Sequence, residues 1–242
     1  MNVMLELELK RAFNDWRLIL FTIGMPMVIY LATAAQFDEP IDGTPVARYL
    51  LVSMAVFGAI GAALSIGGPR VAMEREIGWT RQLRLTAMSG VRYVVVKLMA
   101  AAVVTLVSIV AIFVLGSLVN DVHMPIREWV MSAGLVWAGS WVLCVLSVLL
   151  GYLFTSTSIT VGLMVVNMGF SMLGGLFWPV NGFPHWLRLV AEATPTYHLA
   201  QLGHVAQNGD WPATTDVAVL AVYLLVSVAG AAWLYRRDEV RV

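Results

Sequence analysis

Apolar residues fall into six long runs separated by short polar breaks along the 242 residues of the chain. The runs are Leu18–Ala35, Tyr49–Ile66, Leu98–Val119, Trp129–Phe154, Ile159–Phe177 and Val217–Tyr235. Each is close to the roughly 20 residues that a helix needs to cross a hydrocarbon core. The runs are apolar throughout, whereas strands of a membrane barrel alternate between lipid-facing and lumen-facing residues. The pattern predicts an all-α membrane protein: one transmembrane domain over residues 1–242 with six spanning helices.

Two further stretches have helical patterning but are too polar or too broken to span. In residues 1–17, Leu5, Leu9, Ala12, Phe13 and Trp16 recur at helical spacing, with Glu6, Lys10, Arg11, Asp15 and Arg17 on other faces. This predicts an N-terminal helix lying flat at the membrane interface. In residues 174–208, Pro179, Pro184, Pro195 and the Gly174–Gly175 pair forbid a continuous helix. The apolar stripe of Trp186, Leu187, Leu189, Val190 and Ala191 still predicts a short amphipathic helix. The expectation for 178–208 is an outer re-entrant region of one or two half-helices, with Trp178, Trp186 and Trp211 as interfacial anchors. Gly24 and Pro26 predict a weakened or kinked first span. Gly58, Gly61 and Ala62 let another helix approach closely and form a candidate dimer face. The link Thr155–Ser158 is short enough to make spans four and five a tight hairpin.

Composition agrees with a lipid-solvated chain. Hydrophobic residues make up 60% and charged residues 12%, with mean hydropathy +0.80. A soluble domain carries about 25% charged residues. Formal net charge is zero, but the distribution is uneven. The N-terminal segment, the stretch Arg70–Lys97 and the C-terminal tail hold twelve of the fifteen Lys and Arg, leaving Arg48, Arg127 and Arg188 to the other side. The acidic residues split seven and eight, so the two sides carry +5 and −5. The positive-inside rule then places both termini and the Arg70–Lys97 stretch in the cytoplasm. The first apolar run is preceded by an amphipathic stretch and followed by QFDEP rather than a small-residue cleavage pattern, so it reads as a span and not a signal peptide. The single cysteine, Cys144, permits no intrachain disulfide.

Candidate chemistry within the spans is sparse. No Asp, Glu, Lys or Arg lies near the centre of a run, which argues against a proton-coupled or sodium-coupled carrier. Lys97 stands near the end of the third run and is expected to snorkel to the interface. Asn167 is strongly polar and deep in the fifth run; interhelical hydrogen bonding and a substrate contact are both open to it. His123, His185, His198 and His204 have no cysteine or acidic partner at ligand-like spacing, so no metal site is expected. There is no G-x-x-x-x-G-K-[ST] loop, no H-E-x-x-H helix and no nucleophile elbow. The expectation is a non-enzymatic chain with no cofactor of its own and no nucleic-acid partner, embedded in membrane lipid.

The charged stretch from Arg70 to Lys97 stands out against this background. Glu74, Arg75, Glu76, Arg81 and Arg84 give a mixed-charge face, and Val71, Ile77, Leu83, Leu85 and Met88 an apolar one. Such a helix suits docking into a soluble partner's groove; its charges also suit anchoring to anionic headgroups. Glu74-Arg75-Glu76, then Gly78, Leu83, Thr86 and Lys97, running into a long apolar helix, resembles the signature of ABC-2 type transporter permeases. Ala87 stands where that family commonly has Pro, which leaves the end of the helix past Thr86 open. The outer region, Phe177-Trp178-Pro179, Pro184, Trp186-Leu187, Pro195, Tyr197 and His198, resembles the same family. The resemblance implies a cytoplasmic coupling helix within 70–92, between spans two and three. Glu74, Arg75, Glu76, Gly78, Arg81, Leu83 and Arg84 would be its docking residues. It also implies a separate P-loop ATPase subunit that binds the ATP and Mg, a second permease chain in a homodimer, and residence in a prokaryotic plasma membrane. Drug-resistance-type export of an amphipathic compound is the expected activity, with Asn167, Phe177 and Trp178 on a candidate substrate path or in helix packing. Lipid-linked glycan export is the alternative within the family. A non-transporting scaffold or a membrane-embedded enzyme is the alternative outside it.

Overall fold

A computed structural model describes residues 2–34, 40, 43–78, 90–120, 122–207 and 211–240. Among these residues the chain is helical, with no strand. The helices are α1 (Asn2–Asn14), α2 (Trp16–Ala34), α3 (Val46–Glu76), α4 (Gly90–Asn120), α5 (Ile126–Leu153), α6 (Ser156–Leu173), α7 (His185–Glu192), α8 (Pro195–Val205) and α9 (Thr214–Val240). Six of them, α2 to α6 and α9, are long and apolar enough to cross a membrane. The six sequence-derived runs fall on these six helices.

The hub is α3. Its spanning stretch is almost wholly buried, and it packs against α2, α4, α5, α6 and α8. Thirty-one residues at 1.5 Å each make a helix of about 46 Å, well beyond a ~30 Å hydrocarbon core. The expected end of this run at Ile66 is therefore ten residues short of the helix end at Glu76. What hides the continuation in the sequence is Gly67-Gly68-Pro69, which reads as a stop. The structure accommodates it by inserting a side chain from α5. Ser147 Oγ donates to the Leu64 carbonyl (2.6 Å) and accepts from the Gly68 N–H (2.7 Å), standing between two groups that would otherwise bond each other. Insertion into the ladder in this way is one of the recognised ways a helix absorbs a break.

The first span carries the expected irregularity. Leu20–Gly24 forms a π-helical turn immediately before Met25 and Pro26. Proline has no N–H to return to the Thr22 carbonyl. Gly58 of α3 sits against that carbonyl: a Cβ there would lie 2.5 Å from the Thr22 oxygen. Gly61 faces Thr22 and Asn167, and Gly58, Gly61 and Ala62 are all buried within the chain. This corrects the dimer-face expectation. The small residues admit α2 and α4 of the same chain, leaving no surface there for a second copy.

At the other crossing of α3 and α5 the backbones themselves touch. A Cβ on Gly151 would lie 2.6 Å from the Gly68 carbonyl oxygen and 2.9 Å from its Cα. Elsewhere single polar bonds tie the helices. Trp137 Nε1 donates to the Ala102 carbonyl of α4 (2.9 Å), and Ser132 Oγ to the Gly203 carbonyl of α8 (3.0 Å). Between α6 and α9 the prolines divide the chain into the short helices α7 and α8. Thr194 caps α8 by accepting from the Tyr197 N–H, with Pro195 at the first helical position. Helix α8 is buried between α3, α5 and α9, whereas α7 leaves Trp186, Leu189 and Val190 exposed.

Gly151→Ala is expected to lower stability by about 1–3 kcal/mol, because backbone cannot retreat as a side chain can. Gly162→Ala, where nothing lies within 4 Å of the added methyl, should be neutral. Thermal unfolding of the two purified variants in one detergent separates the cases.

Candidate partner-coupling site at the charged end of the bundle

The end of α3, the start of α4, the end of α5, the start of α6 and helix α1 meet at one end of the bundle. Their charged side chains are bonded to one another in a fixed pattern. Lys97 of α4 is fully buried, and its Nζ donates at 2.7 Å both to Glu8 Oε1 of α1 and to Glu74 Oε1 of α3. Arg70 of α3 donates to the other Glu8 oxygen (2.5 Å) and to the Glu8 carbonyl (3.2 Å). Tyr93 donates its hydroxyl to the second oxygen of Glu74. Two carboxylates thus face two cations, and each carboxylate oxygen has a donor. This neutrality lets the group sit where Glu8 is only 3% exposed and Glu74 only 5%. An unpaired buried charge would cost far more.

The other two residues of the Glu74-Arg75-Glu76 triplet reach different helices. Arg75 donates from one terminal nitrogen to the carbonyls of Gly151 (3.1 Å) and Tyr152 (2.8 Å) at the end of α5. Its guanidinium also lies 5.4 Å from the centre of the Tyr152 ring. These carbonyls belong to the last turn of α5, where backbone acceptors have no helical partner and a cation is favoured. Glu76 accepts from the Ser156 N–H (2.8 Å) and from the Ser156 hydroxyl, so a carboxylate meets the first turn of α6. Three consecutive side chains therefore fasten α3 to α4, α5 and α6, and Lys97 extends the connection to α1.

Several sequence expectations change here. Lys97 does not snorkel, because two carboxylates hold it inside. The inward face of α1 is Leu5, Glu8, Leu9 and Ala12, while Phe13 and Trp16 point away. Glu8 went unrecognised, although an acid three residues after Leu5 and four before Ala12 interrupts an apolar face at helical spacing. Of the docking residues, Glu74, Arg75 and Glu76 bond within the chain. Gly78 ends α3 at φ +72°, the left-handed position glycine takes after a helix. Arg81, Leu83 and Arg84 lie outside the described residues. Next to the bonded triplet, Met73 and Ile77 are 51% and 66% exposed.

The opposite end has its own ties. Arg48 pairs with Glu128 and donates to the Gln207 carbonyl (3.3 Å), and Gln207 Nε2 returns a bond to the Arg48 carbonyl (3.0 Å). His204 stacks on Tyr49 with ring centres 4.1 Å apart and meets Ser53 Oγ at 3.1 Å. His198 lies between Asp216 Oδ1 (2.7 Å) and the Glu192 carbonyl (2.8 Å). Phe177 packs edge-on against Phe57, and Trp178 is largely exposed. Asn167 Oδ1 is buried without a hydrogen-bond partner, so the interhelical bond open to it in the sequence is not formed by that oxygen.

This architecture has a match among known families. The model of the ABC-2 family transporter protein matches residues 35–233, which is most of the chain. The chain belongs to the ABC-2 transporter family. The chain is also 25% identical over 235 residues to the Bacillus subtilis (strain 168) protein named "Putative transport permease YvfS", with 96% of this chain and 95% of that protein covered. An ABC-2 chain with six spanning helices is a multi-pass membrane protein and the membrane permease of an ABC transporter, and that family implies an ATPase partner subunit. The bonded triplet is thus the part of an ABC-2 permease that leads from the second span into the 79–89 segment.

Lys97→Met would strand the Glu74 carboxylate and is expected to cost about 3–5 kcal/mol, as for other broken buried pairs. Adding Glu74→Gln should recover much of that loss, and thermal unfolding of the single and double variants reads the difference. Glu8 gives a pH signature. Burial pushes its carboxyl up, but Lys97 and Arg70 outweigh this and hold it below the usual 4.5. Its stabilisation is therefore complete above about pH 4.5 and lost as pH falls through the lower folded value. The unfolding midpoint of the wild type should drop toward that of Glu8→Gln in acid, with the gap widest near neutral pH.

Proposed function

We propose that the chain is the membrane-spanning subunit of an exporter that moves an amphipathic compound, of the drug or antibiotic type, out of a prokaryotic cell. ATP and Mg are bound by a separate P-loop ATPase. The charged end of the bundle is the cytoplasmic end, a reading supported by the twelve of fifteen Lys and Arg that the termini and the Arg70–Lys97 stretch hold. The ATPase docks where α3 leaves the bundle, in a coupling region within 70–92. The observation that carries this reading is the contrast at the end of α3: Glu74, Arg75 and Glu76 are bonded to three other helices, α4, α5 and α6, while Met73 and Ile77 beside them are exposed. A partner pressing there would move the ends of α3, α4, α5 and α6 together.

The working unit pairs two such chains. Helices α2 and α6, like α9, are lightly covered within the bundle, with Phe21 on α2 and Met164, Met168 and Met172 on α6 exposed. Flexible, polarisable methionines and an aromatic ring on such a surface suit amphipathic cargo of varied shape. Phe57 and Met54, on the central helix, are in the core and take no part in such a path. Asn167, on the same helix as these methionines and carrying an unsatisfied oxygen, is the polar contact on this route; Phe177 and Trp178 stand at its outer end, where 178–208 re-enters the outer leaflet.

Purification from native membranes should recover a P-loop ATPase with the chain. Ile77→Asp adds a charge at an exposed position and should leave the unfolding midpoint unchanged while reducing ATPase recovery at least tenfold. Full recovery with the folded variant would sink docking at this site. Absence of any P-loop ATPase with the wild type would sink the exporter reading itself.

A further inference from the structure

A cleft of about 410 Å³ opens between α4, α5 and α9 at the charged end of the bundle. Its walls are small and branched apolar side chains, among them Val91 and Val95 of α4, Val148 of α5 and Ala231 of α9. Tyr152 and Tyr235 complete the lining at this end and pack against each other edge-on, with ring centres 6.3 Å apart. All three helices are long and apolar enough to span, so the cleft faces hydrocarbon and not water. A furrow of this kind, walled by valine and alanine, takes a flexible alkyl chain. Its size falls within the roughly 300–1,000 Å³ typical of small-molecule sites.

The charges around its end select what the chain is attached to. Arg75 is fixed against the Tyr152 ring, 5.4 Å from its centre, by two backbone carbonyls of α5. Arg92 is exposed and precedes Val95 by three residues, which places it on the flank of the α4 face that lines the cleft. Two helices, α3 and α4, thus bring basic residues to one end of this apolar furrow, at the level where aromatic side chains meet the interface. Basic pockets between spanning helices are sites for phosphate-bearing lipid headgroups.

We propose that the α4–α5–α9 cleft binds an anionic glycerophospholipid of the surrounding leaflet, one acyl chain in the furrow and the phosphate toward Arg92 and Arg75. The site requires only that these helices cross a membrane, and it holds whatever compound the permease moves.

Native mass spectrometry of the purified chain tests this with dioleoyl phosphatidylglycerol and dioleoyl phosphatidylcholine, which share acyl chains and differ in headgroup charge. Phosphatidylglycerol should be retained at least fivefold more tightly. Arg92→Gln should cut that preference roughly fivefold, the worth of one basic residue near an anionic surface. Ala231→Phe, which fills the furrow, should abolish retention of both lipids. Equal retention of the two lipids by the wild type would overturn the proposal, as would unchanged phosphatidylglycerol binding in a folded Ala231→Phe variant. Should Ala231→Phe not fold, Arg92→Gln decides alone: an unchanged preference in the folded variant overturns the headgroup site.

Discussion

Four charges, Glu8, Arg70, Glu74 and Lys97, are placed where water is largely absent, and the arrangement of the charged end follows from the need to satisfy them. A buried lysine of this kind persists only with carboxylates at hydrogen-bond distance, and each carboxylate in turn needs a donor on every oxygen. Those demands fix relative positions. Lys97 can bond both carboxylates only if α1 crosses α4 near its seventh residue and α3 reaches the same level. Helix α3 must then continue past the hydrocarbon core as a helix, and Gly67-Gly68-Pro69 does not end it. The Ser147 hydroxyl from α5 supplies what the interrupted ladder lacks.

The same economy governs Arg75 and Glu76. The end of α5 presents carbonyls and the start of α6 presents N–H groups, so a cation and an anion side by side on α3 satisfy both ends of the tight turn between them. Sequence order and helix polarity agree: Arg75 meets the C-terminal end, Glu76 the N-terminal end. The proximity of these two ends follows from the link between them, which is only Phe154 and Thr155 because α6 already begins at Ser156. A mixed-charge triplet that reads as a docking face is thus also the fastening of a hairpin to the central helix.

Much of this fold was legible because lipid imposes a simple rule: spanning segments must be apolar and helical. All six spans, the irregular first span at Gly24 and Pro26, and the breaks at Pro184 and Pro195 follow from it. The long-range pairings did not follow. Glu8 and Lys97 are 89 residues apart, and a charge near the end of an apolar run looks the same whether it snorkels or is paired. The small residues of α3 announced close approach correctly but not the partner, since Gly58 fits the π-helical turn of α2 as well as it would fit a second copy. Periodicity tells which face is special and not what lies against it. The exposed pair Met73 and Ile77 likewise emerges only once the neighbouring charges are seen to be bonded inside.

That partition bears on how force from a partner could enter such a permease. A charged side chain already bonded to a carboxylate or a helix end offers little to a docking protein without first giving up a satisfied buried contact, and the loss would unfasten the bundle. Exposed Met73 and Ile77 carry no such penalty. Under the docking proposed above, a partner held by them would grip the last turns of α3, and the bonded triplet would convert a push on that one helix into a shared displacement of α4, α5 and α6. The Lys97–Glu8 pair would carry the same displacement to α1. Rigidity at the charged end would then make a small contact area sufficient: the partner would have to hold only one helix end, because the chain's own ion pairs hold the others to it.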